Sequence, residues 1–296
     1  MPSIRFLVTT GVIAILSVAA TLWVLPSATE FANSNPSWNG MQVARSEFGM
    51  TPVSSLDLLP AQGRGTALVI IPAVPLSPAS LDALKQYAEH GGVLIVMDNL
   101  GLGNPLLARL GIPARFNGQV LLDPLFNFRN RRLPKITELG AGPSAEGVAS
   151  LVLNHPTVIT NTAGMTVMAR SSPVSFLDRN GNGRRDADEP TGPLVVAALQ
   201  PIGAGSLVLV ADSSLLLNGM LELGDNRRFI RNLLQMAGEG AQIYLDEAHL
   251  PRGPLDVAKN ELARVRSVLG TTLITLATAA VVLAIPLALL WRSPWR

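Results

Sequence analysis

Cysteine is absent from all 296 residues, only three histidines occur, and charged residues make up 15% of the chain. The first absence rules out disulfides, thiolate metal sites and any cysteine nucleophile. The scarcity of histidine leaves His90, His155 and His249 as the whole stock of imidazole bases. A formal net charge of +2 with no basic stripe leaves no electrostatic footprint for nucleic acid. A serine nucleophile would need a G-x-S-x-G elbow, which the sequence does not contain.

Apolar residues are 48% of the chain and concentrate at its two ends. Residues 6–25, behind Arg5, are uncharged and long enough to cross a hydrocarbon core of about 30 Å at about 1.5 Å per residue. Residues 269–291 form a second such run, with Arg264 and Arg266 before it and Arg292 and Arg296 after it. Both read as transmembrane helices. The first exceeds a signal-peptide apolar region, and Pro26-Ser27-Ala28 is a poor cleavage site, which favours an uncleaved anchor. Two spans place both termini on one side. Arg5, Arg292 and Arg296 make that side cytoplasmic, while Arg264 and Arg266 argue the other way. The expected layout is an anchor over 1–26, an extracytoplasmic domain over 27–253, and a juxtamembrane helix, second span and tail over 254–296.

The middle of the chain is organised around residues 65–111. Residues 67–71 and 93–97 are short apolar runs of the kind found in parallel strands buried on both faces. Between them Ser77 and Pro78 start a helix, carried by Leu81, Leu84, Tyr87 and Ala88 at helical spacing and stopped by Gly91-Gly92. This β-α-β unit predicts a layered α/β domain. Further on, residues 194–199 and 206–210 predict an antiparallel hairpin, 226–236 a helix capped by Asp225, and 243–245 a last strand. Residues 41–48 predict a short helix, 51–56 an extra strand, and Asn104-Pro105 the cap and first turn of another helix. Trp38, in a turn cluster, is expected to pin its loop to the domain. Residues 112–165 show Pro, Gly and Asn breaks between short apolar runs, and the cluster Arg129, Arg131 and Arg132 reads as a solvated loop.

The sharpest chemical signal is the twelve-residue stretch 178–189. Asp178, Asn180 and Asn182 stand at positions 1, 3 and 5, Gly183 at 6, Asp186 at 9 and Glu189 at 12. That is the spacing of an EF-hand-type calcium loop, in which Arg184 at position 7 would contribute its main-chain carbonyl. Arg185 at position 8, the strand-like residues before the loop and Pro190 after it depart from a paired EF-hand. The expectation is a Ca²⁺-stabilised loop inserted between strands, set against a polar Asn-Gly hairpin with solvated acids. A second group, Asp246, Glu247 and His249 with Asp212 and Asp225, stands at strand ends and could take a metal or polar ligand at the carboxyl edge of the sheet. The alternative for it is helix capping and loop hydrogen bonding.

The patterns PxxPLSPxxLxxLxxYxxxGGxLIVMD, GSLVLVADSSLLLNGML, DNRRFIRNLL and YLDEAH, in this order over roughly 35–250, resemble a domain-of-unknown-function family, number 4350, of membrane-anchored prokaryotic proteins related to class I glutamine amidotransferases. Its best markers here are Gly91-Gly92, Asp212, Asn218, Asp225-Asn226 and Asp246-Glu247. The resemblance implies a Rossmann-like or flavodoxin-like, glutamine-amidotransferase-like fold, and an assembly role beside MoxR-type ATPases in a membrane complex. Glutaminase activity is excluded because the acyl intermediate needs the missing cysteine. The expectation is therefore a non-catalytic scaffold, with a degenerate hydrolase-like enzyme or a ligand sensor built on Asp246, Glu247 and His249 as the alternative.

Overall fold

The computed structural model describes residues 3–269 and 272–291. It divides into a compact domain, Glu30–Pro251, and a second unit from the described parts of 1–29 and 252–296.

The compact domain is built on one eight-stranded sheet. We number its strands β1 (Thr51–Val53), β2 (Thr66–Ile70), β3 (Val93–Met97), β4 (Glu138–Leu139), β5 (Thr166–Arg170), β6 (Val195–Ile202), β7 (Gly205–Val210) and β8 (Gln242–Asp246). Their spatial order is β1-β8-β2-β3-β7-β6-β5-β4. The first five run parallel, and β6, β5 and β4 add on antiparallel. Every residue of β2 and β3 is buried, which is why their sequences are unbroken apolar runs without polar alternation. The expected β-α-β unit, hairpin and last strand are all present, and the fold is a mixed α/β layer structure.

The helices, in chain order, are α1 (Ile4–Val24), α2 (Gln42–Glu47), α3 (Pro78–Glu89), α4 (Asn104–Arg109), α5 (Asn218–Leu221), α6 (Asn226–Gln235), α7 (Pro254–Leu269) and α8 (Thr272–Trp291). In α3, Ser77 Oγ accepts the Ser80 N–H and Pro78 takes the first turn, as the sequence predicts. Gly91 at φ 103° and Gly92 then turn the chain into β3, and a Cβ on Gly92 would lie 2.4 Å from the Tyr87 ring. Helix α6 buries Phe229, Ile230, Leu233 and Leu234 and turns Arg227 and Arg231 outward to Glu47.

Three local expectations are corrected. Asp225 stands at the head of α6 without capping it; its carboxylate instead accepts the N–H groups of Ala149 and Ser150 at 2.8 and 3.0 Å. Asn104 lies inside α4, and its side chain bridges to the main chain of Phe116. The Trp38 side chain is 71% exposed, so its loop is held by main-chain contacts such as Gly219 N–H to Trp38 C=O. The segment 112–193 folds into small two-stranded ladders, 115–116 with 159–160, 120–122 with 176–178 and 135–136 with 151–152, beside β4 and β5. Pairs this short leave little periodicity in sequence.

In the second unit, α1 presents apolar side chains around its circumference. Among the described residues it holds the one helix, over Ile4–Leu22, long and apolar enough to cross a membrane, which suits an anchor or a signal sequence. The expectation of two spans is thereby reduced. Helix α8 is present with Pro286 inside it, but its qualifying apolar stretch among the described residues is the shorter Leu276–Pro286. Residues 270–271 and 292–296 of the expected second span and tail lie outside the described residues. Within this unit Thr29 Oγ1 donates to Asp256 Oδ2 in the first turn of α7 at 2.5 Å.

Candidate functional site

In open α/β sheets ligands bind beyond the carboxyl ends of the parallel strands. Here the ends of β3, β7 and β8 deliver three buried aspartates. Asp98, after β3, is 2% exposed and accepts the N–H groups of Leu100 (2.7 Å), Gly101 (2.9 Å) and Gly103 (2.6 Å). Burial raises its pKa, against those three hydrogen bonds, which act to lower it. The carboxylate ties down the turn into α4.

Asp212, after β7, is fully buried, with Oδ1 accepting the Ser214 N–H and Oδ2 the Asn154 N–H, both at 2.7 Å. Burial pushes its pKa up to about 6, over the opposing pull of those bonds. Asp246, closing β8, is also fully buried; Oδ1 accepts the Ala248 N–H at 3.1 Å and Oδ2 meets His249 Nδ1 at 2.7 Å. A carboxylate only accepts, so the imidazole carries its proton on Nδ1. The neighbouring Glu247 takes the side-chain amide of Asn33, and His249 is itself buried.

The expected constellation is therefore not one site. Asp212 and Asp246 sit on strands separated by β2 and β3, three interstrand steps or about 14 Å apart. Asp225 belongs to the 149–150 loop. Among the described residues no group of three or more His, Asp or Glu side chains is gathered to hold a metal ion. The other sequence markers also act as staples. Asn218 Oδ1 accepts the Val43 N–H while its amide donates to the carbonyls of Asn35 and Ser37. Buried Asn226 clamps both main-chain groups of Val152 and the carbonyl of Met220.

The 178–189 stretch leaves the ladder 120–122/176–178 as a wrapped loop. Asp178 Oδ2 accepts the Gly183 N–H at 3.0 Å, Asn180 Oδ1 the Asn182 N–H at 3.0 Å and Asn182 Oδ1 the Arg184 N–H at 2.6 Å. Buried Glu189 closes it, accepting the N–H groups of Arg179 (2.7 Å) and Asp186 (3.0 Å). The amides of Asn180 and Asn182 both donate to Asp186 Oδ2, at 2.7 and 2.9 Å. The side chains of positions 1, 3, 5, 9 and 12 are thus engaged in the loop's own hydrogen bonds, and Asp178 Oδ1 is a buried oxygen without a hydrogen-bond partner. The position-7 residue, Arg184, has an exposed side chain.

Beside this loop lies an open pocket of about 490 Å³ that the sequence reading missed, lined by Leu122, the turn Asn130-Arg131-Arg132, His155 and the loop residues 182–184. The Arg131 guanidinium donates to the carbonyl of Gly183, joining the two walls. Arg132 and His155 are joined by the His155 N–H to the Arg132 carbonyl at 2.9 Å. Burial and then the Arg132 charge hold the His155 pKa below its usual value. Arg131 and Arg184 are some fifty residues apart in sequence, so only the run Arg129-Asn130-Arg131-Arg132 was visible beforehand. A smaller pocket of about 300 Å³, at the amino end of β8, is lined by Phe48, Arg231, Leu234 and the turn 238–241.

Among solved structures the chain is similar to an mmIFT52 N-terminal domain at 14% identity, covering 58% of this chain and 77% of that one with a TM-score of 0.46. It is also similar to a β-galactosidase from Bacillus circulans sp. alkalophilus (15% identity, 60% and 23% covered, TM-score 0.36) and to a ThuA-like protein from Bacteroides uniformis (15%, 58% and 70%, TM-score 0.35). No curated protein matches the chain in sequence. The family model described as "Domain of unknown function (DUF4350)" matches residues 33–234, from the loop ahead of α2 into α6. That is more than half of the chain and includes every marker from Gly91 to Asn226, and the chain belongs to this family of domains of unknown function.

Proposed function

We propose that this protein is a non-catalytic, membrane-anchored binding or scaffold protein, its α/β domain outside the cytoplasm, its 178–189 loop stabilised by calcium, and its role that of a component in a membrane complex. The observation that carries the reading is that Asp98, Asp212 and Asp246 at the carboxyl edge each point into main-chain N–H groups of the following loops. A general acid or base needs a free lone pair or proton within reach of substrate, and these carboxylates hold turns instead.

The calcium part rests on the loop's chemistry. Ca²⁺ takes six to eight oxygens, and Asp178, Asn180, Asn182, Asp186, Glu189 and the Arg184 carbonyl supply that set. The buried, unpartnered Asp178 Oδ1 fits a position-1 ligand. Calcium would displace the two asparagine amides now on Asp186 and hold the loop rigid; a weak site of this type fills only where calcium is millimolar, outside the cell. The Ile4–Leu22 helix fits the anchor, and Arg5 in its first turn fits a cytoplasmic N-terminus. A MoxR-type ATPase is the partner the family resemblance suggests.

The test is co-purification of the full-length protein from gently solubilised native membranes, with calcium or with a chelator. A stoichiometric partner retained by calcium and lost in Asp178→Ala supports the reading; a protein that emerges alone, with the same melting temperature in calcium and chelator, defeats it. The buried Asp246–His249 pair favours a second reading, a degenerate hydrolase-like enzyme or ligand sensor using Asp246, Glu247 and His249. Esterase or glycosidase turnover by the purified chain, abolished in His249→Ala with the fold intact, would select it.

A further inference from the structure

We propose that the pocket formed by Asn130, Arg131, Arg132, His155 and Arg184 over Leu122 binds a phosphate-bearing ligand. The inference goes beyond the scaffold reading and uses no bound calcium.

The walls are fixed in place. The Arg131 carbonyl accepts the Asp123 N–H at 2.9 Å, the Arg132 N–H donates to Asn130 Oδ1 at 2.9 Å, and the His155 N–H reaches the Arg132 carbonyl. Arg129 holds a left-handed φ of 70° and His155 one of 50°, conformations a non-glycine residue keeps only where its surroundings impose them. The opposite wall, Gly183-Arg184, is set by the Gly183 N–H on Asp178 and the Arg184 N–H on Asn182.

The charge is unbalanced. Every ion pair of the described domain lies elsewhere, at Lys85–Glu89, Arg109–Asp82, Arg170–Glu138, the Arg227 and Arg231 contacts with Glu47 and Glu222, and His249–Asp246. Among the described residues Arg131, Arg132 and Arg184 have no carboxylate within ion-pair distance. The acids beside the pocket are engaged elsewhere: Asp123 by the Leu125 and Phe126 N–H groups and the Ser172 hydroxyl, Asp178 Oδ2 by the Gly183 N–H, and Asp186 by the Asn180 and Asn182 amides. Three guanidinium groups around one open pocket create a positive potential whose natural complement is an oxyanion, and the imidazole adds a neutral hydrogen-bonding group.

The fork of an arginine matches carboxylate and phosphate alike, but convergence from two walls favours the tetrahedral, multiply charged anion over a planar one. No Phe, Tyr or Trp side chain lines the pocket, so a base would find only the His155 imidazole and the guanidinium planes to stack on. The single apolar lining residue, Leu122, leaves a polar body such as a sugar or glycerol as the attached group. A free phosphate ester and the headgroup of an anionic phospholipid share this chemistry.

The test is calorimetric titration of the full chain in neutral detergent with inorganic phosphate and with glycerol 1-phosphate, in chelator. The titration is repeated in nanodiscs of phosphatidylcholine with and without phosphatidylglycerol. The expected result is saturable binding weakened at least about tenfold by Arg132→Ala and by Arg184→Ala, each removing charge-assisted hydrogen bonds, and unchanged by Arg45→Ala on α2. The side chains of Arg132 and Arg184 are exposed and unpaired, so both variants fold. Binding in detergent and in both nanodiscs identifies a free phosphate ester; binding suppressed only by phosphatidylglycerol identifies the lipid headgroup. Absence of saturable binding in every medium, or binding that Arg132→Ala and Arg184→Ala leave intact, overturns the proposal. Because the titration runs in chelator, a failed calcium loop leaves this result standing, and the reverse.

Discussion

Replacing Asp212 with asparagine should abolish one gain in the domain's stability that acid brings. Burial lifts the Asp212 pKa from 3.8 to about 6. Below the lower value the carboxyl is neutral in both folded and unfolded chains. Between the two values the folded domain keeps a proton that the unfolded chain has lost, so stability falls as pH rises through this window. Above about 6 the full penalty stands, roughly two pKa shifts of 1.36 kcal/mol, or about 3 kcal/mol. Asparagine removes the titration. It keeps one acceptor for the Ser214 or Asn154 N–H and turns an NH₂ group on the other, a cost of about 1–3 kcal/mol that does not vary with pH. Buried Asp98 shifts in the same direction. His155, with a lowered pKa, acts oppositely, losing its contribution as pH falls through the folded value. Asp98 is common to wild type and variant and cancels in the difference, whereas His155, tied to Asp212 through Asn154, cancels only as far as its placement is kept. Urea unfolding of the full chain in neutral detergent, followed by circular dichroism, gives that difference at a series of pH values. The expected wild-type advantage over Asp212→Asn is largest near pH 4 and shrinks by about 3 kcal/mol by about pH 7.5. A flat difference, or one that grows with pH, would refute the assignment of Asp212 as a buried, charge-penalised turn holder.

Two further substitutions test the staples of the fold. Gly205→Ala places a Cβ 2.3 Å from the Gly92 carbonyl oxygen and 2.4 Å from that of Ala88, so main chain must shift; the expected loss is about 1–3 kcal/mol, read as a lowered denaturation midpoint at constant m-value. Asn226→Ala strips partners from the Val152 N–H and from the carbonyls of Val152 and Met220, at about 1–3 kcal/mol for each group left unsatisfied. Hydrogen exchange should then show the Val152 amide losing protection ahead of β2 and β3.

The central strands were legible because burial on both faces writes itself as an unbroken apolar run, and α3 because its cap, proline and double glycine are local signals. The antiparallel strands β4 and β5 were not. Their residues pair with partners set by the 112–193 insertion, and β5 is bulged against β6, which spoils the alternation a strand normally prints in sequence. The position of Asp225 ahead of a helix suggested a cap, because sequence can show that a carboxylate stands near free N–H groups but not which N–H groups arrive from 75 residues away. The spacing of 178–189 identified a loop, and the fold shows it wrapped on its own side-chain to main-chain hydrogen bonds. Arg131, Arg132, His155 and Arg184 carried no shared signal at all, since they meet only through folding.

The acids at the carboxyl edge pose a sharper problem of reading. An aspartate directly after a parallel strand is wanted both by chemistry and by the turn that follows, because both need a strong acceptor facing main-chain N–H groups. Sequence cannot separate the two uses; partner count can. Asp98 meets three N–H donors and Asp212 two, and Asp246 meets one with an imidazole, so each carboxylate is engaged by its own loop. The arginines of the 130–132 turn present the opposite case, strong donors held in place by their main chain while their side chains lack acids to pair with. On the reading proposed here, the sheet edge supplies rigidity and recognition is left to the insertion. The contact from the Asn154 N–H to Asp212 then matters for more than stability, because Asn154 precedes His155 in the pocket wall. Asp212→Asn should accordingly weaken glycerol 1-phosphate binding modestly, through loosened placement of His155, whereas Asp246→Asn, on the far side of β2 and β3, should leave binding unchanged. Equal effects from the two substitutions would mean that the edge acids act on the pocket only through global stability.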